Sequence, residues 1–278
     1  MTTSYDDLIL TMKASAMSGI ISRSLLHPID TIKSKRQSVA SNVSIASLVK
    51  QTYQSGGVRE FYKGFGIAAS GSIPGVCLYF TSFHIFQGWL KRAELLPSPV
   101  VDFSAGFLAE AVSCVFWVPV DVSKEQLQVQ SNLGRTNFRH AREALLVNYR
   151  NQGLRGIYKG YNATLASFGP FSAFYFAFVE AMKPHVNKDF SSLVGVCALS
   201  GALASFITTP LDTVKVMMQV GTVNKGTIEA LKSVHKLEGF KGLFRGSVPR
   251  VAFFATNTAV TMGSMEWLKV RLSSQTKD

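Results

Sequence analysis

One pattern occurs three times at a fixed interval, and it constrains the fold more than any other feature of the chain. The copies are Pro28-Ile-Asp30-Thr-Ile-Lys33-Ser-Lys35-Arg-Gln37, Pro119-Val-Asp121-Val-Ser-Lys124-Glu-Gln126-Leu-Gln128 and Pro210-Leu-Asp212-Thr-Val-Lys215-Val-Met217-Met-Gln219. The prolines stand 91 residues apart both times. A fixed interval means a triplicated unit, in which each copy is a supersecondary element that needs its neighbours to bury its apolar face. Each copy closes a long apolar run, where the proline ring clashes with the carbonyl four residues back and kinks the helix. The Asp and Lys that follow lie three residues apart on one helical face. The units are expected at 1–96, 97–186 and 187–278, together forming a single domain.

A second signature recurs in each unit: Phe61-Tyr62-Lys63-Gly64, Tyr158-Lys159-Gly160 and Phe244-Arg245-Gly246, each opening another apolar segment. Before it comes a polar loop and a short helix, 45–53 in the first unit and 227–237 in the third, stopped near Gly57, Gly153 and Gly239 by a residue free to adopt positive φ. The middle loop is longer: Pro119 to Gly160 spans 41 residues against 36 in the other two units.

The apolar segments 8–37, 65–90, 100–130, 161–182, 193–219 and 247–270 all reach the ~20 residues a helix needs to cross a bilayer. Apolar residues make up 47% of the chain and charged ones 17%, and mean hydropathy is +0.18, which places the chain in the membrane class. The expectation is an all-α membrane protein with six transmembrane helices plus three short surface helices, because a spanning backbone must satisfy its own hydrogen bonds. The net charge of +12 sits in loops beside apolar runs. It is read as topology and anionic-lipid attraction rather than nucleic-acid binding. By the positive-inside rule the proline-motif end faces inward, with both termini on the opposite side.

Cys77, Cys114 and Cys197 lie in apolar segments without disulfide or metal spacing and read as small core residues. The acidic stretch 1–7 has no basic leader, so targeting information is expected to be internal. No nucleophile elbow, P-loop or paired-carboxylate pattern supports an enzyme, and no metal or cofactor is implied.

With these residues in view, the chain resembles the mitochondrial carrier family over essentially its whole length. All three copies carry the family's Pro, acid, base and Gln; the second basic position is Lys35 in the first copy but Gln126 and Met217 in the others. The resemblance implies a pseudo-threefold barrel around a central cavity in the mitochondrial inner membrane. It implies a matrix gate pairing Asp30 with Lys124, Asp121 with Lys215 and Asp212 with Lys33, braced by Gln37, Gln128 and Gln219. A same-helix surface pair, as of Asp30 with Lys33, is the plainer alternative. It implies an outer gate at His84, Gln87, Glu180, Lys183, Glu266 and Lys269, with one full ion pair, Glu180 with Lys269, beside Glu266–Gln87 and His84–Lys183. These residues read equally as polar helix ends. Bound anionic lipid, cardiolipin, is expected beside Gly57, Gly153 and Gly239, with Lys63, Lys159 and Arg245 adding charge.

The resemblance puts substrate contacts at Val76, Tyr79 and Phe80, at Ser167 and Phe168, and at Phe253 and Phe254. Arg23, Glu110 and Arg250 are the charges deep in apolar segments. Glu110, standing where the other units have Gly19 and Gly201, is expected to face the lumen and neutralise one arginine, leaving a net positive cavity. Structural pairing of the arginines, and plain packing of the aromatics, stay open as alternatives. Within the family the chain looks most like S-adenosylmethionine carriers, on the stretches HPIDTIKSKRQ, GSIPGVCLYF, Glu110 and Pro170-Phe171. It departs from them at Arg23, where they have an acid, and at Ser167-Phe168, where they have Arg-Glu. The function implied is alternating-access transport of a small metabolite or cofactor, S-adenosylmethionine-like or otherwise partly anionic and π-rich, by a monomeric carrier. The alternative is a carrier-fold structural subunit of a larger inner-membrane complex.

Overall fold

The structure is a computed structural model that describes residues 5–39, 43–92, 97–134, 138–187 and 189–275. Among the described residues every regular element is helical. In chain order they are α1 (Tyr5–Ser38), α2 (Ile45–Gly56), α3 (Val58–Phe61), α4 (Phe65–Arg92), α5 (Ser98–Leu133), α6 (Ala141–Gln152), α7 (Leu154–Ile157), α8 (Tyr161–Met182), α9 (Phe190–Ile207), α10 (Thr209–Gln219), α11 (Thr227–Leu243) and α12 (Ser247–Gln275), with a 3-10 turn at Lys183–His185. Each unit therefore repeats a long helix ending in the proline motif, a short helix and a second long helix.

Pro28 and Pro119 sit inside continuous helices, whereas the third copy breaks at Thr208, between α9 and α10. Gly57 and Gly153 stop α2 and α6, and Gly239 kinks α11, with φ of 63°, 59° and 65°, a region glycine enters without a Cβ penalty. Of the three cysteines only Cys114 is fully buried, packed with Val118 and Val122; Cys77 is exposed.

The long helices form a ring, with α1, α4, α5, α8, α9 and α12 neighbours in that order and α12 back against α1. The ring closes through a threefold relation absent from the sequence reading. Gly64 abuts the Lys124 backbone on α5, Gly160 abuts the Lys215 carbonyl and the Gln219 side chain on α10, and Gly246 abuts the Gln37 side chain on α1. A Cβ at Gly64 would lie 3.2 Å from the Lys124 carbonyl oxygen, which is why the aromatic-basic-Gly triplet ends in glycine. Each triplet thus docks on the proline-motif helix of the following unit.

Among the described residues, three helical stretches qualify as bilayer spans by length and apolarity alone, 100–132, 154–185 and 190–207, and a fourth if the pair 58–71 and 74–92, bent by 42°, counts as one. The helices α1 and α12 fall below that apolarity: α1 carries Arg23, Asp30 and Lys33, and α12 carries Thr256, Asn257, Thr258 and Thr261 besides Arg250.

Candidate functional site

Each proline motif continues as a helical turn that carries its Asp and Lys to the centre of the ring. There the charges pair between units. Lys124 Nζ lies 2.9 Å from Asp30 Oδ2, Lys215 Nζ 2.9 Å from Asp121 Oδ2, and Lys33 Nζ 2.9 Å from Asp212 Oδ2. Each lysine thus meets an acid on another helix, not the Asp three residues before it. These pairs are largely buried, and breaking one by removing a partner costs about 3–5 kcal/mol in such surroundings.

The bracing is unequal. Gln37 Nε2 donates to Asp212 Oδ2 at 2.8 Å, and Gln128 Nε2 reaches Asp30 Oδ2 at 3.4 Å and Thr31 Oγ1 at 3.1 Å. Gln219, expected to brace the ring with them, does not: its buried amide finds no hydrogen-bond partner among the described residues, although Gly160 packs on it as Gly246 packs on Gln37. Asp212 and Lys124 instead gain extra partners, Arg250 Nε at 3.3 Å from Asp212 Oδ2 and Glu125 Oε1 at 3.1 Å from Lys124.

A cavity of about 300 Å³ lies directly on this ring of charges. Arg23, Ala68, Trp117, Phe253 and Asn257 form its walls. Arg23 Nη1 donates to the Ala68 carbonyl at 3.0 Å, and its guanidinium stands 5.5 Å from the Trp117 ring centre. Asn257 Oδ1 accepts from Ser22 Oγ at 2.7 Å. Three charge pairs at one end of a helical ring, under a cavity walled by an arginine and aromatic rings, suit a site that binds a solute and closes on one side.

The chain matches the family described as mitochondrial carrier protein over residues 6–94, 96–190 and 187–276. It belongs to that family. The carrier is 31% identical to the "Mitochondrial substrate carrier family protein E" of Dictyostelium discoideum, over 94% of this chain and 95% of that one. It is 29% identical to the "Mitochondrial S-adenosylmethionine carrier protein" of Xenopus laevis, over 96% and 98% of the two chains. It is 31% identical to the "S-adenosylmethionine mitochondrial carrier protein homolog" of Drosophila melanogaster, over 90% and 88%. The family's members are transporters, so this carrier is a multi-pass protein of the mitochondrial inner membrane that moves a solute across it.

The carrier departs from several sequence expectations. Arg250 does not meet Glu110; it is 2% exposed, paired with Asp212, and donates through Nη1 to the Ser205 carbonyl at 2.9 Å. Glu110 meets no arginine: Ser113 Oγ at 3.3 Å and Cys114 Sγ at 3.5 Å, both on its own helix, donate to it. Its distance from Arg250 follows from register, since Arg250 is held at the level of the charge ring while Glu110 lies three helical turns above Asp121.

Of the expected contact positions, Arg23 and Phe253 line the cavity. Val76 and Phe80 are exposed one turn apart on α4, and Tyr79 packs between Phe80 and Phe83 against Gly106. Ser167 is buried and Phe168 half-buried, while Phe254 packs on Phe171, Phe253 and the Arg250 guanidinium.

At the opposite end, Gln87 Nε2 donates to Asp102 Oδ1 at 2.7 Å instead of reaching Glu266, because α5 is its packed neighbour across the α4–α5 turn. His84, Glu180, Lys183 and Glu266 are exposed and take part in no ion pair among the described side chains; the Lys269 side chain lies outside the described residues.

Near the short helices, Lys63 pairs with Glu60 at 2.8 Å and Arg245 with Glu238 at 3.1 Å, Arg245 being buried. Lys159 has no carboxylate partner among the described residues; Gln152 and Gly156 stand where the other two units place an acid.

Sequence reasoning missed Trp117, Asn257, Glu60 and Asn148. Trp117 sits two residues before Pro119, just ahead of the stretch that repeats, and its bulk beside a motif proline was the available signal.

Proposed function

We propose that this carrier works by alternating access, with the proline-motif charge ring as its matrix gate. The observation that carries the reading is the set of three inter-unit ion pairs at 2.9 Å beneath an open cavity, set against an opposite end where the described side chains form no such pairs. In this reading α1, α4, α5, α8, α9 with α10, and α12 are six spans, and α2, α6 and α11 lie on the matrix surface. Both termini face the intermembrane space. His84, Gln87, Glu180, Lys183, Glu266 and Lys269 close the outer side when substrate binding offsets the cost of opening the inner ring. The carrier acts as a monomer holding cardiolipin near Gly57, Gly153 and Gly239.

The substrate is a small metabolite or cofactor with an anionic group and a π-rich part. Arg23 and Phe253 on the cavity wall support this, and the names of two relatives make S-adenosylmethionine the first solute to try. The test is purification, reconstitution into cardiolipin-containing liposomes, and uptake of labelled adenosyl compounds, nucleotides, amino acids and carboxylates. Saturable uptake inhibited by excess unlabelled solute is expected. A chain serving only as an assembly subunit would move none of them, which would sink the transport reading.

A further inference from the structure

We propose that the central cavity is a receptor for a zwitterion, with Arg23 taking the carboxylate at the inner end and Glu110 taking the cationic centre above it. The inference rests on the transport reading and deepens it.

The charges of the gate and cavity sort themselves by partner. Lys33, Lys124 and Lys215 pair with Asp212, Asp30 and Asp121; Arg250 shares Asp212, and Glu125 shares Lys124. The gate's four cations and four carboxylates therefore balance. Two charges are left over: Arg23 and Glu110 each lack an ionic partner among the described side chains. Beyond the balanced gate there remain one positive charge on the cavity wall, Arg23, and one negative charge, Glu110, further along α5.

Their placement is ordered along the pore. Arg23 lines the cavity seven residues, two helical turns, above Asp30 on α1. Glu110 lies seven residues above the cavity-lining Trp117 on α5, so it occupies the same helical face about 10 Å further from the gate. Arg23 touches Trp117, so the same rise of about 10 Å separates the level of its guanidinium from Glu110. With one hydrogen-bonded contact at each end, that interval leaves room for a carboxylate and a cation a few bonds apart.

The inner end is built to donate. One Arg23 N–H is engaged by the Ala68 carbonyl, which leaves the rest of the guanidinium fork for a ligand. Asn257 keeps its Oδ1 on Ser22 and so has its Nδ2 donor free for the cavity. Trp117 is a positioning residue: its ring covers one face of Arg23 and is itself wedged on the Gly75 backbone.

The experiment uses the reconstituted full chain. Uptake of S-adenosylmethionine is compared with that of its decarboxylated form, which lacks only the carboxylate, and with 5′-methylthioadenosine, which lacks both the carboxylate and the positive charges. The wild type is expected to take S-adenosylmethionine at least tenfold better than either. Arg23→Ala should remove the preference over the decarboxylated form, and Glu110→Gln should weaken both charged solutes equally. Thermal melts of each variant report folding, and Trp117→Phe should keep the preference that Trp117→Leu loses.

Equal uptake of the carboxylated and decarboxylated forms by the wild type, or equal losses for both in Arg23→Ala, would overturn the proposal. If no adenosyl solute is carried, the same liposomes are tested with arginine, citrate, ADP and putrescine. Saturable uptake led by the zwitterion sustains the inference, and uptake led by a solute of one charge sign overturns it while leaving transport standing. Uptake of nothing overturns the transport reading itself.

Discussion

Arg23 and Arg250 make the same contact from opposite helices. Arg23 on α1 donates to the Ala68 carbonyl on α4 at 3.0 Å; Arg250 on α12 donates to the Ser205 carbonyl on α9 at 2.9 Å. Arg23 and Ser205 both stand five residues before their motif proline, and Ala68 and Arg250 both stand four residues after their triplet glycine. The first and third units thus hold one guanidinium each at an equivalent point, approached from either side, and the second unit, with Cys114 and Thr164 there, holds none. The side of approach decides the partner. From α12, Arg250 reaches Asp212, whereas from α1, Arg23 faces Trp117 and the cavity. Of the two arginines, only that of the first unit lines the cavity.

The ion-pair ring gives the first prediction. Asp212→Lys should abolish transport by setting like charges beside Lys33 and Arg250. Adding Lys33→Asp should restore only part of it, because Arg250 still opposes the new lysine. Asp121 and Lys215 have no such third charge at ion-pair distance, so the swap Asp121→Lys with Lys215→Asp should restore more. Initial uptake rates of the two singles and the double at each site check the ranking; equal rescue at both sites would contradict it.

Arg250 itself gives the second. Arg250→Lys keeps the charge but cannot span Asp212 and the Ser205 carbonyl with one ammonium. Losing a hydrogen bond from a charged donor in a buried place costs about 1.5–3 kcal/mol. The variant should melt several degrees lower in detergent, with the loss larger for Arg250→Ala. A melting temperature equal to the wild type's would mean that Arg250 is not held as described.

The triplication and the helix order were legible from a fixed interval and a few residue types, and the pairing of Asp30, Asp121 and Asp212 with Lys124, Lys215 and Lys33 from the family resemblance those residues carry. What stayed hidden was which further side chains each motif meets outside those three pairs. The second basic position shows why. Lys35 meets Glu60 at 3.9 Å and Ser131 at 2.8 Å, Gln126 exchanges hydrogen bonds with Asn148, and Met217 receives Arg245 on its sulfur. Each departure from the repeated pattern is matched by a partner at a different register in its unit, so no single spacing reveals the pairing. For Val76, Tyr79 and Phe80, counting from the triplet glycine fixes only the height along α4; helix rotation set by packing leaves Val76 and Phe80 exposed and Tyr79 against Phe83 and Gly106.

Gly75 gives the third prediction. A Cβ there would stand 2.7 Å from Trp117 Nε1, so the indole must shift to admit a methyl group. Overpacking of this kind costs about 1–3 kcal/mol. Because Trp117 covers Arg23, Gly75→Ala should also raise the apparent KM for the transported solute more than it lowers the maximal rate. Gly19→Ala, at a glycine with nothing within 4 Å of a built Cβ, is the control and should change neither.

Lipid retention gives the last. Sequence alone treats Lys63, Lys159 and Arg245 as equivalent charges beside three equivalent glycines. The structure separates them, since Lys63 and Arg245 are each neutralised by an acid of their own unit, and Lys159 meets none among the described residues. A lipid phosphate near Lys63 or Arg245 must rely on backbone N–H groups and compete with a carboxylate, whereas near Lys159 it meets an unshared ammonium. If cardiolipin is held at all three places, Lys159→Gln should release more of it than Lys63→Gln, even though both changes remove one positive charge. Native mass spectra of the two variants, prepared in the same detergent, read the number of lipids retained. Equal loss from both would show that the charges of the two units act alike despite Glu60, and absence of tightly bound anionic lipid from the wild type would remove the lipid reading altogether.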